Sequence, residues 1–317
     1  MVNYKQTFLA NTALHSTLPI FYQPSWLNVV CGNNWQVVAS HLINGDVAAI
    51  FIFLVDVKYG IKLLRTPILT PYSGLYILPT LHTSSELQRY QDIHIQALLV
   101  QLPKCAYFEF CTFPTFQNFA AFTYLGYNNM ARVTYWIDLT QTYEQLLKQV
   151  QPRKMRYINN ALDYRFCTAL IYLDQFLPCH KNTFTSKGNK YPYMSSFLKS
   201  FITSAVTQGW GTFYTLIDAH QKAVAFLFVV HGAGVTTQLL SCYIPGASSN
   251  QCITIITWHA ILKSFQQNNH TYDFEGSDMP KIAKFFGHFG GQQKTYYNFT
   301  KTPSTLWRLK QALLPHS

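Results

Sequence analysis

The second half of this 317-residue chain repeats the pattern of its first half. The segment Tyr272–Phe274 aligns with Phe108–Phe110, 164 positions earlier, and the correspondence continues downstream without a gap. Further matches in this register are Phe122 with Phe286, Leu125 with Phe289, Gly126 with Gly290 and Tyr135 with Phe299. Upstream the offset becomes 175 positions, so that Leu42 matches Ile217, Phe51 matches Phe226 and Phe53 matches Phe228. Self-similarity over such a span predicts a duplicated domain and not an array of short repeats.

The length of the chain is sufficient for two domains that each have a full core. We place the first domain at residues 1–141 and the second at residues 142–317, the latter beginning with a basic helical linker at 142–165. Aromatic residues make up 16% of the chain, which favours strand-rich cores. Charged residues make up only 12%, which argues against disorder.

Helices and strands are predicted in the same order in both halves. The second half is predicted to hold strands at 210–217, 223–230 and 236–243, a helix with Ile255, Trp258, Leu262 and Phe265 on one face, a strand at 270–274, a helix at 280–289 and a strand at 294–299. The first half repeats this order from a hairpin at 37–55 to a strand at 132–137. A polar, basic loop is predicted at 179–192. The sequence thus predicts an α+β protein with two mixed, mostly antiparallel sheets flanked by helices.

Several classes of protein are disfavoured by the sequence. The longest apolar stretch, Val47–Val55, is shorter than the ~20 residues that span a bilayer. The start of the chain, Met1–Lys5, lacks the pattern of a signal peptide, so we expect a cytoplasmic protein without a transmembrane segment. The seven cysteines form no CxxC pair, which favours free thiols and no metal site. No motif of a nucleophile-elbow hydrolase, a zincin or a P-loop NTPase occurs.

The formal net charge of +11 is large for a chain with so few charged residues. Such an excess favours an anionic partner, which can be a nucleotide cofactor, RNA or a lipid surface. A basic surface that only maintains solubility is the alternative, and the sequence does not choose between them.

Three stretches resemble the GNAT acyltransferase superfamily, and within it the FemAB-like branch, whose members carry two such domains in one chain. The stretches are Arg65–Gly74, Pro152–Ala161, and Tyr272–Ser277 with Lys284–Gly290. The resemblance covers nearly the whole chain. It implies a tandem GNAT fold and transfer of an acyl or aminoacyl group to an amine, either on a small molecule or on a cell-envelope precursor. The donor implied is acyl-coenzyme A or aminoacyl-tRNA, with no metal.

The donor is expected at the start of the second-half helix, at Ser248, Ser249, Asn250 and Gln251. GNAT proteins usually have an Arg- and Gly-rich phosphate loop at this place, whereas residues 243–251 contain one glycine and no arginine. The free N–H groups and the dipole of a helix N-terminus can nevertheless bind phosphate.

The chemistry of acyl transfer needs a base, oxyanion donors and an acid for the leaving group. Asp273 or Glu275 is a candidate to accept the proton of the amine or to orient it, and backbone N–H groups near Ser241–Tyr243 are candidate oxyanion donors. Tyr243 is the candidate acid. The alternatives are that Asp273 accepts hydrogen bonds from loop N–H groups, that Glu275 is solvated, and that Tyr243 packs on the sheet.

The acceptor is expected to contact Arg65, Tyr72, Lys154 and Arg156. An arginine binds a carboxylate with two hydrogen bonds, and basic clusters bind phosphate oxygens. The alternatives are a structural salt bridge for Arg65 and a solvated helix face for Lys154 and Arg156. A rival hypothesis for the whole chain is a catalytically silent double-GNAT protein that binds RNA or another anionic partner, and the sequence does not specify an oligomeric state.

Overall fold

The structure is a computed structural model that describes residues 4–58, 60–80, 84–246, 249–276 and 279–313. Its helices are α1 (Tyr4–Ala10), α2 (Thr12–Thr17), α3 (Pro24–Cys31), α4 (Ser84–Leu99), α5 (Phe119–Tyr124), α6 (Tyr143–Lys148), α7 (Pro152–Asn159), α8 (Leu173–Thr185), α9 (Ser195–Thr207), α10 (Ser249–Gln266), α11 (Pro280–Gly287) and α12 (Thr305–Leu313). Its strands are β1 (Trp35–His41), β2 (Val47–Lys58), β3 (Ile61–Arg65), β4 (Gly74–Ile77), β5 (Tyr107–Cys111), β6 (Asn128–Asp138), β7 (Arg165–Cys167), β8 (Gly211–Ile217), β9 (Ala223–Gly232), β10 (Val235–Tyr243), β11 (Thr271–Asp273) and β12 (Gln292–Lys301). Within this described part, no helix combines the length and apolar character needed to cross a bilayer.

By their internal contacts the residues divide into two compact units, which we call unit 1 (residues 1–133 and 294–317) and unit 2 (residues 134–293). Each unit is completed by a strand from the other half of the sequence. In unit 1, β12 pairs antiparallel with β5, and in unit 2 the end of β6 pairs antiparallel with β11. The predicted domain boundaries, 1–141 and 142–317, were drawn from the sequence duplication, and they remain a prediction.

The sheet of unit 1 has the strand order β1, β2, β3, β5 and β12, and β4 pairs with β2 as a branch. Among the strand pairs described for this unit, the pairing of β3 with β5 is parallel and the others are antiparallel. Alternating apolar residues of these strands meet α4 and α5 in an aromatic core around Phe51, Phe110, Phe122 and Phe299.

The sheet of unit 2 has the order β7, β8, β9, β10, β11 and the end of β6. Again one pairing is parallel, that of β10 with β11, and the others are antiparallel. Helix α10 connects these two parallel strands and packs Ile256, Ala260 and Ile261 into the core of the unit. Both units therefore have an α+β architecture, and this prediction is confirmed.

Two stretches differ from the secondary structure predicted for them. The stretch 143–165 is not one helix, because Gln149–Gln151 separate α6 from α7 and Pro152 begins the second helix. The predicted loop at 179–192 is helical up to Thr185, since α8 begins at Leu173 and continues through Pro178. The buried side chains of Phe176, Leu177 and His180 stabilise α8, and local propensity does not report such tertiary packing.

In unit 1, the segment between β3 and β4 covers the end of β5. Ser73 N donates to Cys111 O at 2.7 Å, and the buried Tyr72 ring packs edge-on against Phe113 and Tyr296. Gly74 follows with φ of +77°, and a Cβ atom there would lie 2.8 Å from side-chain atoms of Phe110.

We expect Gly74→Ala to lower the free energy of unfolding by about 2–4 kcal/mol, because the left-handed backbone and the Phe110 ring both resist a Cβ atom. The matched control is Gly45→Ala, where φ is +92° but no atom lies within 4 Å of the added carbon. The control variant should lose only about 1–2 kcal/mol of unfolding free energy, because only the left-handed backbone resists its Cβ atom. Urea unfolding monitored by circular dichroism measures both variants. Equal losses would show that Phe110 yields to the added methyl group.

Candidate functional site

The main cavity of unit 2 lies where β10 and β11 diverge. The two strands pair in parallel over three residues only, from Val235–Thr237 on β10 to Thr271–Asp273 on β11. Strand β10 then continues to Tyr243, while the chain after β11 turns away. The gap is a cavity of about 580 Å³, with residues 238–243 on one wall and residues 274–276 on the other. This volume is within the range of roughly 300–1,000 Å³ typical of ligand sites.

The β10 wall begins with an irregularity. The register between β10 and β9 shifts between Gln238 and Leu240, as at a β-bulge. A bulge leaves the backbone of one residue outside the ladder, and such bulges are common beside active sites. Next to it, the hydroxyl of the buried Tyr272 donates to Oε1 of Gln238 at 2.9 Å, which fixes the orientation of that amide. The wall thus presents fixed polar groups to the cavity.

The opposite wall is held by a buried carboxylate. Asp273 ends β11 and is fully buried. Its Oδ1 accepts hydrogen bonds from Thr134 Oγ1 at 2.5 Å and from the backbone N of Glu275 at 2.9 Å. Glu275 has φ of +52°, a conformation that non-glycine residues rarely adopt. These contacts agree with the alternative interpretation of Asp273, in which a strand-end carboxylate accepts hydrogen bonds from loop N–H groups. Glu275, and not Asp273, is among the described residues that line the cavity.

Helix α8 closes a further side of the cavity with aromatic rings. His180 is 4% exposed, and its Nδ1 lies 3.0 Å from the hydroxyl of Tyr191. Its ring stacks on Phe176 and on Tyr193. Burial lowers the pKa of His180 to about 4, so the imidazole is neutral near pH 7. Burial, and then the charge of the Glu275 carboxylate, raises the pKa of the Tyr193 hydroxyl.

Two free cysteines also line the cavity. They are Cys179 on α8 and Cys242 on β10, and burial raises the pKa of the Cys242 thiol well above its usual value. Among the residues that the structure describes, no group of three or more His, Cys, Asp or Glu side chains is placed to hold a metal ion.

The predicted donor residues lie where β10 leads into α10. Ser249 is the first residue of the helix, Asn250 is exposed and Gln251 is half-buried, while Ser248 lies outside the described residues. The Asn250 carbonyl accepts from Thr254 Oγ1 at 2.6 Å within the first turns of α10. Tyr243, the predicted acid, is 39% exposed and lines the cavity at the end of β10. The structure thus brings Tyr243 and Glu275 to one cavity, with the helix start following directly in the chain.

The four predicted acceptor residues are distributed over both units. In unit 2, Lys154 on α7 is only 8% exposed; its Nζ donates to Thr254 Oγ1 at 3.0 Å and lies 4.7 Å from the centroid of the Phe285 ring. Burial, and then the charge of Arg153, lowers the pKa of this ammonium group. Arg156 lies about one turn after Arg153 on α7, and its side chain is exposed.

In unit 1, Arg65 ends β3 with its guanidinium carbon 5.9 Å from the centroid of the Tyr107 ring. Tyr72 is fully buried, so in this structure its ring supports the fold of unit 1 and offers no surface to a ligand. The sequence placed Tyr72 in a loop rich in proline and glycine, and such loops are usually exposed.

Sequence reasoning missed His180, Tyr193 and Gln238, which the fold brings to the cavity wall. His180 belongs to the stretch 179–192, which was predicted to be a loop, and Tyr193 follows that stretch directly. Gln238 lies within the mostly buried strand β10, where a side-chain amide that needs hydrogen-bond partners is the available signal.

Comparison with known proteins agrees with this architecture. Residues 148–281 match the family model of the acetyltransferase (GNAT) domain. The structure of FemX is similar, with a TM-score of 0.69 at 10% sequence identity over 98% of this chain and 98% of that chain. The C-terminal domain (DUF2156) of a putative lysylphosphatidylglycerol synthetase from Agrobacterium fabrum has a TM-score of 0.57 at 9% identity, over 98% and 96% of the two chains. L-PGS from Bacillus licheniformis has a TM-score of 0.51 at 11% identity, over 91% and 90%.

No curated protein sequence matches this chain. The matches confirm the predicted GNAT-like fold, and the GNAT domain match lies in the part of the chain that holds the cavity. At these low identities the structural likeness establishes the fold.

The buried imidazole of His180 predicts a pH dependence of stability. Its folded pKa of about 4 lies below the ~6.5 of an unfolded histidine, so the unfolded chain binds more protons between these values. The stabilising contribution is therefore complete above about pH 6.5 and is lost as the pH falls toward 4. Between about pH 7 and about pH 5, wild type should lose stability more steeply than His180→Gln, by up to about 1.4 kcal/mol per pH unit.

Thermal unfolding at a series of pH values tests this difference, with the exposed His220 as the control position. His220→Gln should follow the wild-type curve. If His180→Gln also followed it, the imidazole would not be held neutral by burial.

Proposed function

We propose that this chain is an N-acyltransferase that moves an acyl or aminoacyl group from acyl-coenzyme A or aminoacyl-tRNA to an amine. The observation that carries the proposal is the cavity between the diverging strands β10 and β11, with an irregular strand edge on one wall and a carboxylate on the other. The match of residues 148–281 to the GNAT domain supports it, because that domain includes both strands.

The groups of the cavity suit the bonds that must form and break. The amine nitrogen attacks the carbonyl carbon of the thioester or ester, and the carbonyl oxygen becomes an oxyanion. In this proposal, backbone N–H groups of β10, from the irregularity at Leu239 to the predicted donors at Ser241–Tyr243, stabilise that charge. Glu275 accepts the proton that the amine loses, and Tyr243 donates a proton to the departing sulfur or oxygen. Asp273 acts through Glu275, whose backbone it holds.

The donor fits the start of α10, which follows the β10 wall of the cavity in the chain. An 18-residue helix such as α10 presents free N–H groups and the positive end of its dipole at its N-terminus. Ser249, Asn250 and Gln251 belong to that first turn. The Lys154 ammonium, bonded to Thr254 in the second turn, adds a positive charge near the same end.

For the acceptor, we propose an amine on a small molecule or on a cell-envelope precursor. One structural neighbour is named for the synthesis of lysylphosphatidylglycerol, a lipid aminoacylated on a hydroxyl group, which supports an acceptor from the cell envelope but not its amine. Arg156 on α7 is the proposed contact for an anionic group of the acceptor. The side chain of Arg156 is exposed and available to a charged ligand.

A catalytically silent binding protein is the second candidate. The +11 net charge and the exposed arginines of α7 favour an anionic partner such as RNA. Binding of RNA that falls steeply with salt, without any transfer of an acyl group, would support this candidate and contradict the first.

We expect Glu275→Gln to lower kcat by about 10²–10⁴-fold, because the amide cannot accept the proton of the amine. The control is Glu144→Gln, on α6 and outside the described cavity lining, which should retain wild-type turnover. Release of free thiol from acetyl-coenzyme A in the presence of a panel of amines measures the rate. Unchanged turnover in Glu275→Gln would remove this residue from the mechanism.

We expect Ser249→Pro to weaken binding of coenzyme A by about tenfold. Proline is tolerated at the first helical position, so the change removes one N–H donor and preserves the helix. The matched control is Ser195→Pro at the first position of α9, whose preceding residue Met194 already has the extended backbone that proline requires. Calorimetric titration with coenzyme A measures both variants. If wild type does not bind coenzyme A at millimolar concentration, aminoacyl-tRNA becomes the donor to test.

A further inference from the structure

Unit 1 contains a second large cavity, which no step of acyl transfer uses. It is an open groove of about 480 Å³ formed by the loop between α4 and β5, the turn between α5 and β6, and the end of β12. This groove, which we call the unit-1 groove, is lined by Leu99, Val100, Leu102, Pro103, Lys104, Cys105, Phe108, Leu125, Tyr127, Lys301 and Pro303. Its volume is also in the range of roughly 300–1,000 Å³ that small-molecule sites occupy.

The lining of the unit-1 groove is apolar and accessible. Val100, which follows α4, is 82% exposed, and Leu125 in the turn after α5 is also exposed. Single exposed apolar side chains are ordinary, but a contiguous apolar surface with a polar rim marks a binding site. The apolar surface of this groove would gain free energy by leaving water.

The charges at the unit-1 groove are all positive. Both of its charged described residues are lysines, the exposed Lys104 and the half-buried Lys301. The Lys301 ammonium is held at the rim, since it donates to the Leu125 carbonyl at 2.8 Å and lies 4.9 Å from the centroid of the Tyr127 ring. One bond leaves two of its three N–H groups for an anion. The rim therefore complements a negative group attached to an apolar body.

Helix α12 continues this pattern a few residues beyond the groove. It begins at Thr305, two residues after the groove residue Pro303. Leu306 and Leu309 are three positions apart, so they lie on the same side of the helix, and both are largely exposed. Arg308 and Lys310 add positive charge to the same short helix. Exposed apolar residues among basic ones are typical of helices that lie on a membrane surface.

We propose that the unit-1 groove takes an acyl chain of an anionic phospholipid and thereby docks unit 1 on a negatively charged bilayer. An acyl chain has no polar group to satisfy, whereas a peptide would place backbone N–H and C=O groups against a lining that offers few partners. Lys104 and Lys301 meet the phosphates, and the leucines of α12 enter the interface beside the headgroups. This inference does not depend on the proposed transferase activity.

Vesicle flotation with the full chain tests the electrostatic part. Wild type should float with vesicles of phosphatidylcholine and phosphatidylglycerol and much less with vesicles of phosphatidylcholine alone, and added salt should weaken the binding. Changing both Lys104→Glu and Lys301→Glu should reduce the partition coefficient by at least about tenfold. The control changes Lys222→Glu and Lys263→Glu, two exposed positions of unit 2, which alters the net charge equally. It should have a much smaller effect.

Quenching by brominated acyl chains tests whether the groove itself takes a chain. A tryptophan introduced as Val100→Trp should be quenched beyond the wild-type background of six tryptophans. The control, Leu162→Trp, introduces the same probe at an exposed position of unit 2 outside the groove, and it should add little quenching. Circular dichroism shows whether each variant keeps the wild-type fold.

Three outcomes would overturn the proposal. If wild type floats with neither kind of vesicle, the groove is open to a protein partner instead of a lipid. If both charge-reversed pairs weaken binding equally, the attraction is a property of the total charge and not of the groove. If Val100→Trp is quenched no more than Leu162→Trp, the protein touches the bilayer without taking a chain.

Discussion

The candidate site depends on the short parallel pairing of β10 with β11. Three residue pairs join these strands, and beyond Thr237 and Asp273 they separate. Backbone N–H and C=O groups that lose a neighbouring strand must find other partners, which are water or a ligand. The inner strands of a buried sheet rarely leave such a gap, because it costs ladder hydrogen bonds. Here the irregular register of β10, the turn after β11 and the aromatic side of α8 all surround the gap. The gap is therefore a feature that the rest of unit 2 is arranged to maintain.

In unit 1, the place that corresponds to this gap is covered by the protein's own chain. Its parallel strands β3 and β5 pair over two residues only, at Leu63 and Leu64. The segment that follows β3 then folds back, and Ser73 bonds to the end of β5. Tyr72 becomes part of the core. The two duplicated sheets have thus diverged in one respect, since unit 2 keeps its gap open and unit 1 covers it with its own chain. This contrast supports the proposal that the donor binds unit 2.

The sequence predicted the features that depend on local pattern. Apolar periodicity located most strands and α10, and the duplication indicated two similar sheets. The sequence could not predict that β12 completes the sheet of unit 1, or that the end of β6 completes the sheet of unit 2. Strand pairing over such distances leaves no local signal in the sequence. It also missed His180, since the helix that carries it is stabilised by burial of its apolar side and contains Pro178, which usually ends a helix. The acidic strand end at Asp273 was visible, but only the hydrogen bonds distinguish its part from that of Glu275.

Those hydrogen bonds also explain why an acidic residue is buried at the end of β11. A buried carboxylate costs free energy unless donors satisfy it, and a smaller apolar residue would fill the same position without that cost. The Asp273 carboxylate receives the Glu275 N–H, and Glu275 is held with a positive φ that a free chain would rarely populate. Backbone strain of this kind persists only where the surroundings enforce it. The cost of burying Asp273 and the strain at Glu275 therefore have one common result, which is a second carboxylate fixed at the edge of the cavity. Two unfavourable local features that support each other at the same wall favour a functional site over a structural one.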